Sequence, residues 1–200
     1  MKLYFAYGAN TNVASMAGRC PDAKALALVT IPDHKLVFRG VADVVEHDNA
    51  KVRGVMWAIT ERCERSLDAF EGYPRLYVKK YITVRWQGRD QALMLYVMNG
   101  RDSQSPPPPY YEQCLREGYT EFGISHRQID AAIRDAKRAE EQDRKLRRPV
   151  VVAGGSQWRS RMVAGSRWRD DEVVQARDDF APQQEPDDGF WPDNLPWWRR

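Results

Sequence analysis

At 200 residues, 42% of them hydrophobic, and with a formal net charge of +3, the chain can bury one core of ordinary domain size with some length left for an appendage. The charge is divided: residues 1–149 hold 24 Lys/Arg against 19 Asp/Glu, residues 150–200 hold 7 against 9, and neither part is basic enough to imply a nucleic-acid partner. No apolar run approaches the ~20 residues needed to span a bilayer, and residues 1–7 are too short for a signal h-region, so a soluble, cytoplasmic protein without a membrane partner is expected. Cys20, Cys63 and Cys114 are odd in number and far apart, with no CxxC pair and only three histidines to join them; reduced structural thiols, and no metal site, are expected.

Residues 2–7 form a short aromatic-rich strand candidate ending at Gly8, and Asn12 stands at the N-cap position before Val13-Ala14-Ser15-Met16, which reads as strand, glycine loop, helix. Extended candidates follow at 25–30, 35–38 and 41–45, separated by Pro32-Asp33 and Gly40, and then the more strand-like 52–59. Thr60 with Glu61 and Glu64 supplies a cap and an acidic first turn. Cys63, Leu67 and Phe70 mark the buried face of the resulting helix, which Gly72 and Pro74 should stop. Residues 77–86 and 91–97, joined by Gln87-Gly88-Arg89-Asp90, predict a β-hairpin. The four prolines 106–109 enforce an extended segment before a short helix at 110–118. Ser125-His126-Arg127-Gln128 has the form of a capping box, with Ile129, Ala132, Ile133 and Ala136 at helical spacing to about Gln142. This order of elements predicts an α+β fold. Beyond Val152 the chain is rich in Gly, Arg, Asp, Pro and Trp, placing a domain over 1–148, with a helical extension at 125–148, and a largely irregular tail over 149–200.

Two segments carry chemistry. In Tyr4-Phe5-Ala6-Tyr7-Gly8-Ala9-Asn10 a strand runs into a glycine turn at a helix start, where backbone N–H groups can hold a carboxylate or a polarised carbonyl oxygen; on spacing alone an ordinary βα turn is the favoured reading, because a single glycine carries little information. In Leu67-Asp68-Ala69-Phe70-Glu71-Gly72-Tyr73-Pro74 a carboxylate sits at a helix C-terminus among aromatics. The helix dipole and desolvation would both raise its pKa, as suits a general acid/base, whereas a lone helical glutamate is commonly just solvated.

Taken in order, Phe5-Ala6-Tyr7-Gly8-Ala9-Asn10, Arg19-Cys20-Pro21-Asp22-Ala23, Gly54-Val55-Met56-Trp57, Leu67-Asp68-x-x-Glu71-Gly72, Tyr77 and Pro109-x-Tyr111 resemble the γ-glutamylcyclotransferase-like, or AIG2-like, superfamily over residues 3–125. The resemblance implies a small mixed β-barrel with peripheral helices and an active cavity at the barrel mouth. It implies Glu71 as the proton acceptor, the strand and loop Tyr4, Phe5, Ala6, Tyr7, Gly8, Ala9 and Asn10 as substrate-binding, and Tyr77 and Tyr111 as further cavity tyrosines. The usual loop reads Tyr-Gly-Ser-Asn-Leu; here Ala9 lacks the hydroxyl and Thr11 replaces an apolar anchor.

The implied reaction cleaves a γ-glutamyl amide by intramolecular attack of the α-amine, releasing 5-oxoproline and a free amine or amino acid, with no cofactor. No GxGxxG, Walker lysine, GxSxG or HExxH competes with it. A rival reading is a non-catalytic AIG2-like binding protein acting through its tail. Gly155-Ser156-Gln157-Trp158-Arg159 recurs as Gly165-Ser166-Arg167-Trp168-Arg169, and five of seven tryptophans follow residue 150, which suits a protein partner's groove. The tail's acidic clusters argue against nucleic acid; the segment is read as flexible, or as docked on its own domain or another protein.

Overall fold

The structure, a computed structural model, describes residues 1–100 and 103–147; the expected boundary near 148, the Trp/Arg repeat and the rest of the tail lie outside the described residues. The chain forms β1 (Lys2–Ala6), a 3-10 turn (Ala9–Thr11), α1 (Val13–Arg19), β2 (Lys24–Phe38), β3 (Ala42–Ile59), α2 (Glu61–Glu71), β4 (Tyr77–Trp86), β5 (Arg89–Met98), α3 (Pro109–Glu121) and α4 (Arg127–Leu146). One five-stranded sheet has the order β2-β3-β1-β5-β4. Every pairing is antiparallel except β1 with β5, which is parallel, so the sheet is mixed and the class α+β, as expected.

The sheet curls because the start of β3 is tied back to the far strands. Tyr77 Oη on β4 donates to the Ala42 carbonyl at 3.0 Å, the Met98 amide on β5 donates to Asp43 Oδ1 at 2.9 Å, and Lys80 pairs with Glu46 at 3.1 Å. Phe5, Ile31, Phe38, Met56, Ile59, Leu93 and Leu95 fill the interior.

The extended segments expected between residues 25 and 59 merge into two long strands. Pro32 and Asp33 look like a break, yet Pro32 lies on edge strand β2, where a missing N–H costs no ladder bond. The irregularity is absorbed as a register shift between Pro32 and His34, with Asp33 at a φ of 52° and its carboxylate accepting from the Asn49 amide. Gly40, at a φ of 82°, is the real turn between the two strands. The hairpin between β4 and β5 is likewise tighter than expected. Only Gln87 and Gly88 lie outside the strands, both at positive φ, the signature of a two-residue turn matched to strand twist.

Thr60 caps α2 by accepting from the Cys63 amide, and Gly72, left-handed at a φ of 63°, ends it. Cys63 and Leu67 are buried as expected, but Phe70 is half-buried under the Arg19 guanidinium. The capping box at Ser125 does not form, and α4 starts at Arg127 without a side-chain cap. Gln128 instead satisfies backbone on β3, accepting from Arg53 N at 3.0 Å and donating to Arg53 O at 2.7 Å. Ile129, Ala132, Ile133 and Ala136 are buried, and α4 runs four residues past the expected end. Among the described residues no helix is long and apolar enough to cross a membrane.

Candidate active site

The glycine loop is held rigidly from behind. After β1 the chain turns through Ala9, Asn10 and Thr11, all buried, with Thr11 N donating to Gly8 O at 2.9 Å. Asn12 Oδ1 then accepts from Ser15 N at 2.9 Å and caps α1 as its position predicted. Thr11, fully buried where an apolar residue is usual, satisfies its hydroxyl by donating to Gly8 O at 2.8 Å. Helix α3 presses on the loop through Gly118, where a Cβ would stand 2.4 Å from Asn12 N and 2.7 Å from the Thr11 carbonyl carbon. Tyr119 Oη, one residue on, donates to Tyr7 O at 3.0 Å.

At the end of α2 the Glu71 side chain meets this loop. The residue retains some exposure along its length, but its carboxylate is enclosed, and Asn10 Nδ2 donates to Oε1 at 3.1 Å. The same Nδ2 donates to Tyr4 Oη at 2.9 Å, while Asn10 Oδ1 accepts from Arg19 Nη1 at 3.0 Å. A guanidinium can only donate, so the amide oxygen must face Arg19 and the NH2 must face Glu71 and Tyr4. Arg19 is itself fixed by a second bond to Ser15 O and by stacking 3.7 Å over the Phe70 ring. Desolvation pushes the Glu71 carboxyl up to about 7, against the opposing pull of Arg19 and Asn10.

The opposite wall is aromatic. Tyr77 Oη donates to Ala42 O, Ala42 N donates to Tyr111 Oη at 3.1 Å, and a Cβ on Gly8 would meet that same hydroxyl at 3.1 Å. Tyr7 Oη donates to Tyr96 O, and the Tyr4 and Tyr96 rings meet edge to face at 5.9 Å. Burial raises Tyr4, Tyr7, Tyr77 and Tyr111 above the ordinary phenol range, so all four stay protonated.

Of the residues singled out from sequence, Asn10 bonds Tyr4 and Glu71, Gly8 lies against the Tyr111 hydroxyl, Tyr77 and Tyr111 meet through the Ala42 backbone, and Ala9 is buried in the turn between Gly8 and Asn10. Phe5 differs: its ring turns into the core, against the position a Cβ on Gly54 would occupy at 2.8 Å. Ala6 is buried beside it, its carbonyl 2.3 Å from the same position. Sequence reasoning missed Arg19, Tyr96 and Asp68. Tyr96 Oη donates to Asp68 Oδ1 at 2.6 Å and Lys79 Nζ to Asp68 Oδ2 at 2.8 Å, which pins α2 to β4 and β5 one turn before Glu71. Arg19 and Asp68 lay inside quoted motifs, but nothing in their spacing shows what they touch. Cys20 is buried, its thiol pushed up to about 12 by burial, which leaves it a poor nucleophile. No metal-binding cluster of His, Cys, Asp and Glu occurs among the described residues.

The raised Glu71 carboxyl has a consequence for stability. Its pKa climbs from the usual 4.5 to about 7 on folding, so its contribution is fully present below pH 4.5 and is lost as pH rises through 7. The loss amounts to roughly 3 kcal/mol. Denaturant titrations should show wild-type stability falling over this window relative to Glu71→Gln, which cannot ionise.

The model of the γ-glutamyl cyclotransferase, AIG2-like family matches residues 4–115, a span that contains the loop, Glu71, Tyr77 and Tyr111. The chain belongs to that family. Among relatives, the γ-glutamylcyclotransferase of Bos taurus is 31% identical over 136 residues, covering 61% of this chain and 72% of its own. The Homo sapiens γ-glutamylcyclotransferase is 29% identical over the same shares. A solved structure of a γ-glutamyl cyclotransferase superposes with a TM-score of 0.56 at 25% identity, over 70% of this chain and 86% of its own. YkqA from Bacillus subtilis, at 19% identity and a TM-score of 0.56 over 68% of this chain and 54% of its own, shares the fold.

Proposed function

We propose that this family member cleaves a γ-glutamyl amide by attack of the substrate's own α-amine on its γ-carbonyl, releasing 5-oxoproline and a free amine or amino acid. The observation that carries this reading is the enclosed Glu71 carboxylate, raised to about 7 and aimed at the glycine loop by Asn10. The attacking amine is mostly protonated at neutral pH and must lose a proton, and the leaving nitrogen must gain one. A carboxyl titrating near 7 is matched to both transfers.

Glu71 takes the proton from the α-ammonium, the amine nitrogen bonds to the γ-carbon, and the tetrahedral centre collapses as the original C–N bond breaks. The new ring nitrogen gives up a second proton as the lactam forms, and Glu71 passes both protons to the departing nitrogen, which leaves as an ammonium, so no proton, electron or water is consumed. Backbone N–H groups of the loop bind the α-carboxylate or the developing oxyanion. Tyr4 Oη accepts from Asn10 and donates to no other described residue, so its proton is available to the substrate. Tyr7, Tyr77 and Tyr111, all protonated and anchored, wall a bend that brings amine and carbonyl together, and such confinement can contribute several kcal/mol.

The test is 5-oxoproline release from a panel of γ-glutamyl amino acids, γ-glutamyl amines and glutathione. Release from at least one is expected, and it identifies the leaving group. A panel that yields none contradicts the reading.

A further inference from the structure

Asn10 can present either end of its amide to Glu71, and the two ends have opposite effects. An NH2 facing the carboxylate steadies its ionised form; an oxygen there would repel it. The choice is made on the far side of the amide, where Arg19 Nη1 donates to Asn10 Oδ1 at 3.0 Å. Arg19 cannot swing away easily. It bonds Ser15 O at 3.0 Å, its guanidinium lies 3.7 Å over Phe70, the residue next to Glu71, and its own carbonyl accepts from Ser66 Oγ on α2 at 2.8 Å. Among the described residues Arg19 forms no ion pair, so its charge is not neutralised by a closer carboxylate.

The ionisable groups that interact electrostatically with Glu71 are Tyr4 from β1, Tyr7 just after that strand, Arg19 from α1, Tyr77 from β4, Tyr96 from β5 and Tyr111 from α3. On α2 itself, Asp68 is engaged by Lys79 and Tyr96. Five of the facing groups are phenols that remain neutral. Arg19 supplies the cation that opposes the desolvation of Glu71.

We infer that Arg19 is a positioning residue for the proposed reaction: it locks the Asn10 amide with its NH2 toward Glu71 and provides the charge that keeps this buried carboxylate able to ionise at neutral pH. The inference rests on the reading of Glu71 as the acid/base. It separates two contributions of one side chain, a charge that a lysine retains and a planar, stacked orientation that a lysine loses.

The test is a side-chain carbon NMR titration of the full-length protein, without substrate, with the Glu71 carboxyl resonance assigned by its disappearance in Glu71→Gln. In Arg19→Met the Glu71 midpoint should rise by about one pH unit or more, and the acidic limb of the kcat/KM profile should move by the same amount. In Arg19→Lys the midpoint should stay within about half a unit while kcat/KM falls roughly tenfold at every pH, because the amide is no longer held in register. A midpoint unmoved in folded Arg19→Met overturns the electrostatic part, and Arg19→Lys with wild-type kcat/KM overturns the positional part. Should Arg19→Met not fold, Arg19→Lys decides alone: wild-type kcat/KM, or a midpoint raised as far as one unit, overturns the inference. Failure of the acid/base reading has a different signature, 5-oxoproline release that survives in Glu71→Gln, and the titration is independent of it.

Discussion

Glu71→Gln should reduce 5-oxoproline release by about 10²–10⁴-fold, the usual contribution of a positioned proton-transfer group, while leaving the fold intact. The amide is nearly isosteric with the carboxyl, and its oxygen can still accept from Asn10 Nδ2, so the bond that joins α2 to the loop at 3.1 Å survives. What disappears is the ability to take a proton from the α-ammonium. Circular dichroism should be unchanged and stability at pH 8 should rise, since a buried carboxyl whose folded pKa is near 7 opposes folding once ionised. Lost activity with equal or greater stability cannot be explained by damage to the fold. Retained activity would remove Glu71 from the chemistry.

Gly118→Ala should cost about 3 kcal/mol or more and, where the protein still folds, should impair turnover as well. A Cβ there meets backbone, 2.4 Å from Asn12 N and 2.7 Å from Asn12 Cα and the Thr11 carbonyl carbon. No rotamer change relieves such contacts, so either α3 or the loop must move. Moving α3 disturbs Tyr111, which meets Ala42 N, and Tyr119, which meets Tyr7 O; moving the loop displaces Asn10 from Glu71. Gly18→Ala is the matched control. It lies in α1 with nothing within 4 Å of the added carbon, and replacing a helical glycine there should raise stability by up to ~1 kcal/mol. Denaturant unfolding of the two variants should therefore shift in opposite directions. A Gly118→Ala protein as stable and active as wild type would show that α3 does not clamp the loop.

What the sequence revealed follows the range over which its signals act. Asn12 and Thr60 announced α1 and α2 because a cap bonds an amide three residues away, and Gly72 announced the end of α2 because a left-handed residue is a local requirement. The lengths of β2 and β3 were hidden because Pro32-Asp33 looks the same whether it ends a strand or bulges an edge. The stretch from Glu46 to Lys51 has no apolar alternation, and only its ends pair with β2, Glu46 with His34 and Lys51 with Pro32, while Asn49 between them is left-handed at a φ of 62°. Gln128 resembled a helix cap because its spacing from Ser125 fits, but a bond to Arg53, 75 residues away in sequence, took its place. The same limit applies at the site. The glycine loop and Glu71 were legible through an ordered family resemblance, whereas the Arg19–Asn10–Glu71 relay spans 9 and 61 residues of chain. Its geometry exists only once α1, α2 and β1 have packed.

In the proposed reaction the bond to the leaving amine is broken by the substrate's own nitrogen under the control of Glu71. This is tested most directly by identifying the acyl product formed from a turned-over γ-glutamyl amino acid in heavy-oxygen water. The expected products are 5-oxoproline and one equivalent of free amino acid, with no solvent oxygen in the product carbonyl. Glutamate carrying a solvent oxygen in its γ-carboxylate would show that water, not the α-amine, is the nucleophile, and would contradict it.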